Sequence, residues 1–193
     1  MTQTANIRAF RGKTPTIHPS AFVDPTAVII GDVTIGAHAS IWPQVVIRGD
    51  IHAISIGAGT NIQDGSVLHV THDGPFKPGG AELFIGDQVI IGHNVTLHGC
   101  TIRSGSLIGM GAVILDEAVI DSQVMIAAGS LVGPGKHCQS GYLWRGNPAR
   151  QARKLTEKEQ AFFSYSAEYY QRLAAEHKNL SAVYSERKDE DAA

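Results

Sequence analysis

A branched aliphatic residue returns every six positions through most of the chain, with polar and small residues between. The series runs Val23, Ile29, Ile35, Ile41, Ile47, then Ile56, Ile62, Leu68, then Ile85, Ile91, Leu97, then Ile102, Ile108, Ile114, Ile120, Ile126 and Val132. A fixed period has to be read before any single element, because a repeat taken for ordinary strands gives the wrong architecture. Gly31, Gly36, Gly57, Gly86, Gly92, Gly109 and Gly133 stand beside or near the beat, where tight corners demand unusual backbone angles. The pattern predicts an all-β solenoid of short parallel strands, three hexads to a turn, each aliphatic side chain resting on its copy 18 positions away.

The beat breaks in three places, and breaks in a rigid repeat mark where function is placed. The gap from Ile47 to Ile56 is nine, three more than the period. From Leu68 to Ile85 it is 17, six plus an 11-residue insertion at about 71–81 whose Gly74, Pro75, Pro78, Gly79 and Gly80 predict a protruding loop. From Leu97 to Ile102 it is five, one short. After Val132, Pro134, Gly135 and Gly146-Asn147-Pro148 read as an exit turn. Thr156 followed by Glu159 forms a capping box, and Phe162, Phe163, Tyr169, Tyr170, Leu173 and Leu180 supply an apolar stripe. These signals predict a helix from about 157 to 178, lying along the outside of the solenoid or on a neighbouring subunit. The chain thus divides into a solenoid domain, 1–150, and a C-terminal segment, 151–193, made of this helix and a charged, loose end from Ser185.

Composition narrows the partners. A hydrophobic content of 43% suits a globular protein, and a formal net charge of -2 leaves no basic footprint for nucleic acid or for a membrane surface. No run approaches the roughly 20 apolar residues of a spanning helix, and residues 1–10 lack the apolar core of a secretory signal. Cys100 and Cys138 have neither metal-knuckle nor disulfide-framework spacing, so reduced thiols in the cytoplasm are the expectation. Small molecules and other subunits are the partners left.

Three histidines interrupt the beat, and two of them are in phase. Removing the 11-residue loop takes the separation of His69 and His98 from 29 to 18, one full turn, and both follow a beat residue, Leu68 and Leu97. The imidazoles then project from one face about 4.8 Å apart and can share a metal ion. Arg48 extends the column one turn below, since Ile47 to Leu68 is 21 residues, 18 plus the three-residue insertion. Asp50 lies close by, and an Arg–Asp pair fixes orientation by bidentate hydrogen bonding. His93 leaves from another corner. With solenoids packed around a threefold axis, that corner meets the His69/His98 column of the next subunit. Three imidazoles with an open fourth position make a hydroxide-generating site that suits zinc, and iron(II) or cobalt(II) equally.

Together Arg48-Gly49-Asp50, Asn61-Ile62-Gln63-Asp64, His69, Ile91-Gly92-His93-Asn94, Leu97-His98-Gly99-Cys100 and Ile108-Gly109-Met110-Gly111-Ala112 give a specific signature. Over about residues 10–180 the sequence resembles the gamma-class carbonic anhydrases and their hexapeptide-repeat relatives. The resemblance implies a left-handed parallel β-helix in a homotrimer, with zinc bound by His69 and His98 of one subunit and His93 of the next. It implies that Gln63 hydrogen-bonds the attacking water, that Asn61 and Asp64 surround it, and that Arg48 and Asp50 form an interface pair. The reaction implied is the reversible hydration of carbon dioxide to bicarbonate. The sequence departs from the family's archetype where two glutamates assist proton export; those neighbourhoods read Ile51-His52 and Val70-Thr71-His72-Asp73. His72 is the replacement, imidazole being the side chain that exchanges protons near neutral pH. Three alternatives remain open on the residues: acyl transfer from coenzyme A, a metal-dependent thioesterase, and a metal-binding scaffold with little or no activity.

Overall fold

Most hexads fold as a strand of two or three residues that turns one aliphatic side chain inward, so three faces stack three apolar columns. In the computed structural model, which describes residues 6–190 and the side chains of residues 6–179, the first column is Ile29, Ile47, Leu68, Leu97, Ile114 and Val132. The second is Ile35, Ile56, Ile85, Ile102, Ile120 and Cys138. The third is Ile41, Ile62, Ile91, Ile108, Ile126 and Trp144. All are buried, and each buried aliphatic side chain contributes about 1.5–3 kcal/mol. The coil is a left-handed parallel β-helix, against the right-handed rule for ordinary crossovers.

Buried hydroxyls knit the corners together. Ser66 Oγ donates to the Gly92 carbonyl at 3.0 Å and accepts from the Val95 amide at 3.1 Å, so turns separated by the long insertion stay in contact.

The three rhythm breaks all have structural counterparts. The three-residue insertion lies in the strand Val46–Ile56, whose pairing with Val28–Ile35 shifts register between Gly31 and Val33. The backbones come so close here that a Cβ on Gly49 would run into the Asp32 carbonyl, which accounts for the glycine between Arg48 and Asp50. The loop 71–81 leaves the coil intact because Thr71 and Ala81 pair antiparallel at its base and Gly74 and Lys77 pair at its tip. The short gap makes one turn 17 residues long, so that Ile85 opposes Ile102 and Leu97 opposes Ile114.

A hairpin of Tyr142–Arg145 with Arg150–Lys154 closes the last turn and delivers the helix Glu157–Glu190. Its capping box is formed: Thr156 Oγ1 accepts from the Glu159 amide at 3.2 Å and Glu159 accepts from the Thr156 amide at 2.9 Å. The helix runs past the expected end near 178, since residues 179–190 hold no glycine or proline to stop it. The expected loose end therefore begins inside the helix, and 191–193 lie outside the described residues. The helix folds back along the third face. Phe163, Ala167 and Ala174 are buried, Tyr170 and Leu173 pack on Phe22 and Trp42, and Lys178 donates to the Pro19 carbonyl at 2.7 Å. Two members of the expected stripe do not dock: Phe162 is 48% and Tyr169 46% exposed, because the inward face follows 163, 167, 170 and 174. The Leu180 side chain lies outside the described residues. No helix among the described residues is long and apolar enough to cross a membrane.

Candidate metal centre

The parallel ladder places His69 directly opposite His98, at the ends of the adjacent strands Val67–His69 and Thr96–His98. His69 Nδ1 lies 3.1 Å from His98 Nε2, and the rings are tilted with centroids 5.1 Å apart. A carboxylate holds the far side of each ring. Asp50 Oδ1 is 3.1 Å from His69 Nε2, and Asp116 Oδ1 is 2.6 Å from His98 Nδ1. Arg48 donates to Asp50 Oδ2 at 2.7 Å, and the Thr71 hydroxyl donates to Asp116 Oδ2 at 2.8 Å. Arg48 shares the column as its spacing predicts, but its neighbour Asp50 makes the contact with His69.

The electrostatics favour a cation between the rings. Burial alone would raise Asp50, but hydrogen bonds from Arg48 and His69 outweigh it and hold the carboxyl below its ordinary range. Burial likewise opposes ionisation of Asp116, and His98 and Thr71 overcome it. Burial pushes His69 down, toward the neutral imidazole, against the pull of Asp50. The tautomers in which each carboxylate accepts its ring proton leave both facing nitrogens free to offer lone pairs to a divalent metal, as carboxylate-supported histidines do. Among the described residues of one chain, no group of three or more His, Cys, Asp or Glu side chains is close enough to hold an ion. The pair is an incomplete ligand set by itself.

His93 follows the strand Ile90–Ile91 on a different face, its Nδ1 2.9 Å from Asp64 Oδ2. Gln63 and Asn61 belong to the same side: Gln63 Nε2 donates to Asn61 Oδ1 at 3.1 Å, and Asn61 Nδ2 is buried without a hydrogen-bond partner among the described residues. Between this face and the helix runs a cleft of about 210 Å³ lined by Gln63, Ile90, His93, Leu107, Met110, Phe162 and Tyr170. Tyr170 stands beside Gln63 in this cleft, and burial raises the pKa of its phenol.

The sequence-derived residues therefore form two clusters on one chain. Arg48, Asp50, His69 and His98 make one; Asn61, Gln63, Asp64 and His93 make the other. His72 joins neither and is exposed on the loop, its ring beside Gly74. The sequence assigns no role in the site to Thr71, Asp116 or Tyr170, the last of which it places only in the apolar stripe of the helix. Asp116 lies in the next turn but one residue past the position in phase with His98, since this turn is 17 residues long and Leu97 opposes Ile114. Burial pushes the thiols of Cys100 and Cys138 up to about 12, so neither is a nucleophile.

Residues 14–49 match the family described as bacterial transferase hexapeptide (six repeats), in keeping with the stacked hexads of the β-helix. A hexapeptide transferase family protein from Anaplasma phagocytophilum superposes with a TM-score of 0.79 at 42% identity, covering 86% of this chain and 95% of that one. Protein YrdA of Escherichia coli is 48% identical over 85% of this chain and 89% of its own length. Gamma carbonic anhydrase 1, mitochondrial, of Arabidopsis thaliana is 48% identical over 86% of this chain; the chain spans 60% of that relative. The chain belongs to the gamma-carbonic-anhydrase-like hexapeptide-repeat family.

Proposed function

We propose that the protein catalyses the reversible hydration of carbon dioxide to bicarbonate at metal centres completed between the subunits of a homotrimer. The observation that carries this reading is the in-register stacking of His69 and His98 with facing nitrogens 3.1 Å apart. The identity with a relative named gamma carbonic anhydrase supports it. His93 is the ligand contributed by a neighbouring copy, and threefold closure lets the same two surfaces meet three times. Zinc, iron(II) or cobalt(II) would fit this set and supply hydroxide near neutral pH.

The chain's own groups do the rest. Asn61 accepts a hydrogen bond from the Gln63 amide, so Gln63 presents a fixed hydrogen bond to the attacking water. Asp64 holds the His93 ring. The apolar walls of the cleft, Ile90, Leu107, Met110 and Phe162, favour a small uncharged substrate over its charged product. His72, exposed on the loop, passes the proton to solvent. Arg48 and Asp50 brace the interface as well as His69. The two buried, unpaired thiols fit a reducing compartment, the cytoplasm.

Acyl transfer is the second reading, favoured by the structural relative named as a hexapeptide transferase. It requires coenzyme A binding and no metal. Metal content, oligomeric mass and stopped-flow carbon dioxide hydration, measured on one anaerobically prepared sample, separate the two. A metal-loaded trimer whose hydration activity disappears in His98→Ala supports the first; metal-free protein that binds coenzyme A supports the second. A loaded trimer without hydration activity would leave a metal-binding scaffold.

A further inference from the structure

We infer that Asp116 and Thr71 are positioning residues of the metal centre: Asp116 selects the nitrogen that His98 turns toward a bound cation, and Thr71 orients the Asp116 carboxylate. The inference rests on the reading of His98 as a ligand.

The geometry is one of successive constraint. Asp116 sits one turn beyond His98 and takes its Nδ1 at 2.6 Å, a short charge-assisted contact that requires the ring proton on that nitrogen. In the neutral ring the lone pair then belongs to Nε2, the atom that faces His69. Without the carboxylate, a ring whose side chain is 34% exposed is free to exchange tautomers and to swing. Asp116 is fixed in its turn. Thr71 donates to Oδ2 at 2.8 Å, which leaves Oδ1 for His98, whereas the Thr71 hydroxyl itself stands 3.5 Å from His98 Nδ1 and does not replace the carboxylate.

Thr71 holds this place because its backbone is pinned. Its amide donates to the Ala81 carbonyl at 3.0 Å and its carbonyl accepts from the Ala81 amide at 2.9 Å, at the base of the loop. Lys77 from the same loop pairs with Glu117, the residue after Asp116. The His69/His98 pair is thus clamped by Asp50 from the turn below and by Asp116 from the turn above, and the loop's first residue sets the upper clamp.

The test uses the full chain with Asp116→Ala, Thr71→Val, Thr71→Ser and His98→Ala, each checked for folding by circular dichroism. Zinc affinity is measured by competition with a chromophoric chelator, and the His98 ring nitrogens are observed by 15N NMR in metal-free protein. Asp116→Ala should weaken zinc roughly 10- to 100-fold and release His98 into a mixture of tautomers, which a purely structural role would not do. Thr71→Val should move both readouts the same way by less, and Thr71→Ser should restore them. Unchanged affinity and a single His98 tautomer in Asp116→Ala overturn the inference while His98→Ala still abolishes binding. Unchanged affinity in His98→Ala overturns the ligand reading itself. If Asp116→Ala does not fold, identical behaviour of the two Thr71 variants overturns the inference.

Discussion

His69 and His98 are 29 residues apart in the chain and directly opposite in the ladder, with 3.1 Å between facing nitrogens. Strand register sets that relationship, and the loop between them only has to close. Replacing residues 72–80 with an Asn-Gly turn, which suits the antiparallel Thr71 and Ala81 ends, should change stability by under about 1 kcal/mol. Zinc binding should survive, because Thr71 and Asp116 remain. Hydration activity should fall with the loss of His72. Calorimetry, metal titration and stopped-flow assays on this variant check the three outcomes.

The columns are the source of stability. Ile62 is fully buried between Ile41 and Ile91, and Ile62→Ala should cost about 2–5 kcal/mol. A urea unfolding midpoint that barely moves would contradict this packing.

Stability should also respond to pH through His69. Burial lowers its pKa in the folded chain below the ordinary 6.5, so the unfolded chain takes up this proton first as pH falls. The contribution is complete above pH 6.5 and is lost as pH drops from there through the lower folded value. The lowered carboxyls Asp50 and Asp116 add a second loss, below their ordinary 3.8. Urea midpoints of metal-free protein between pH 8 and 5 should decline, and the decline should shrink in His69→Gln.

Neither thiol should react in the folded protein. Burial holds Cys100 and Cys138 near 12, so a disulfide reagent at pH 8 should label none natively and both after denaturation. Rapid native labelling of Cys138 would show that its end of the coil opens.

Much of this was legible in the residues because a hexad repeat maps sequence phase directly onto position. The breaks of plus three, plus 11 and minus one appear as a register shift, a loop and a shortened turn. The same phase carries His98 to Leu115, one residue short of Asp116, and no motif draws attention to an aspartate in an ordinary corner. Thr71 was hidden for a different reason: its direction comes from pairing with Ala81, outside the repeat. Tyr170 meets Gln63 only because the helix folds back onto the third face, a tertiary choice that periodicity does not encode. Helix propensity likewise carried the helix to Glu190 with no stop signal to read.

A metal centre that draws its ligands from two chains is revealed by subunit complementation. His93→Ala chains keep His69 and His98; His98→Ala chains keep His93. Each variant alone should bind no metal and hydrate no carbon dioxide. Unfolded together and refolded as mixed oligomers, they should regain a fraction of both metal content and activity, from sites with all three imidazoles intact. Mixed oligomers that stay metal-free, or a His93→Ala variant that binds metal as tightly as the unsubstituted protein, would contradict a shared centre.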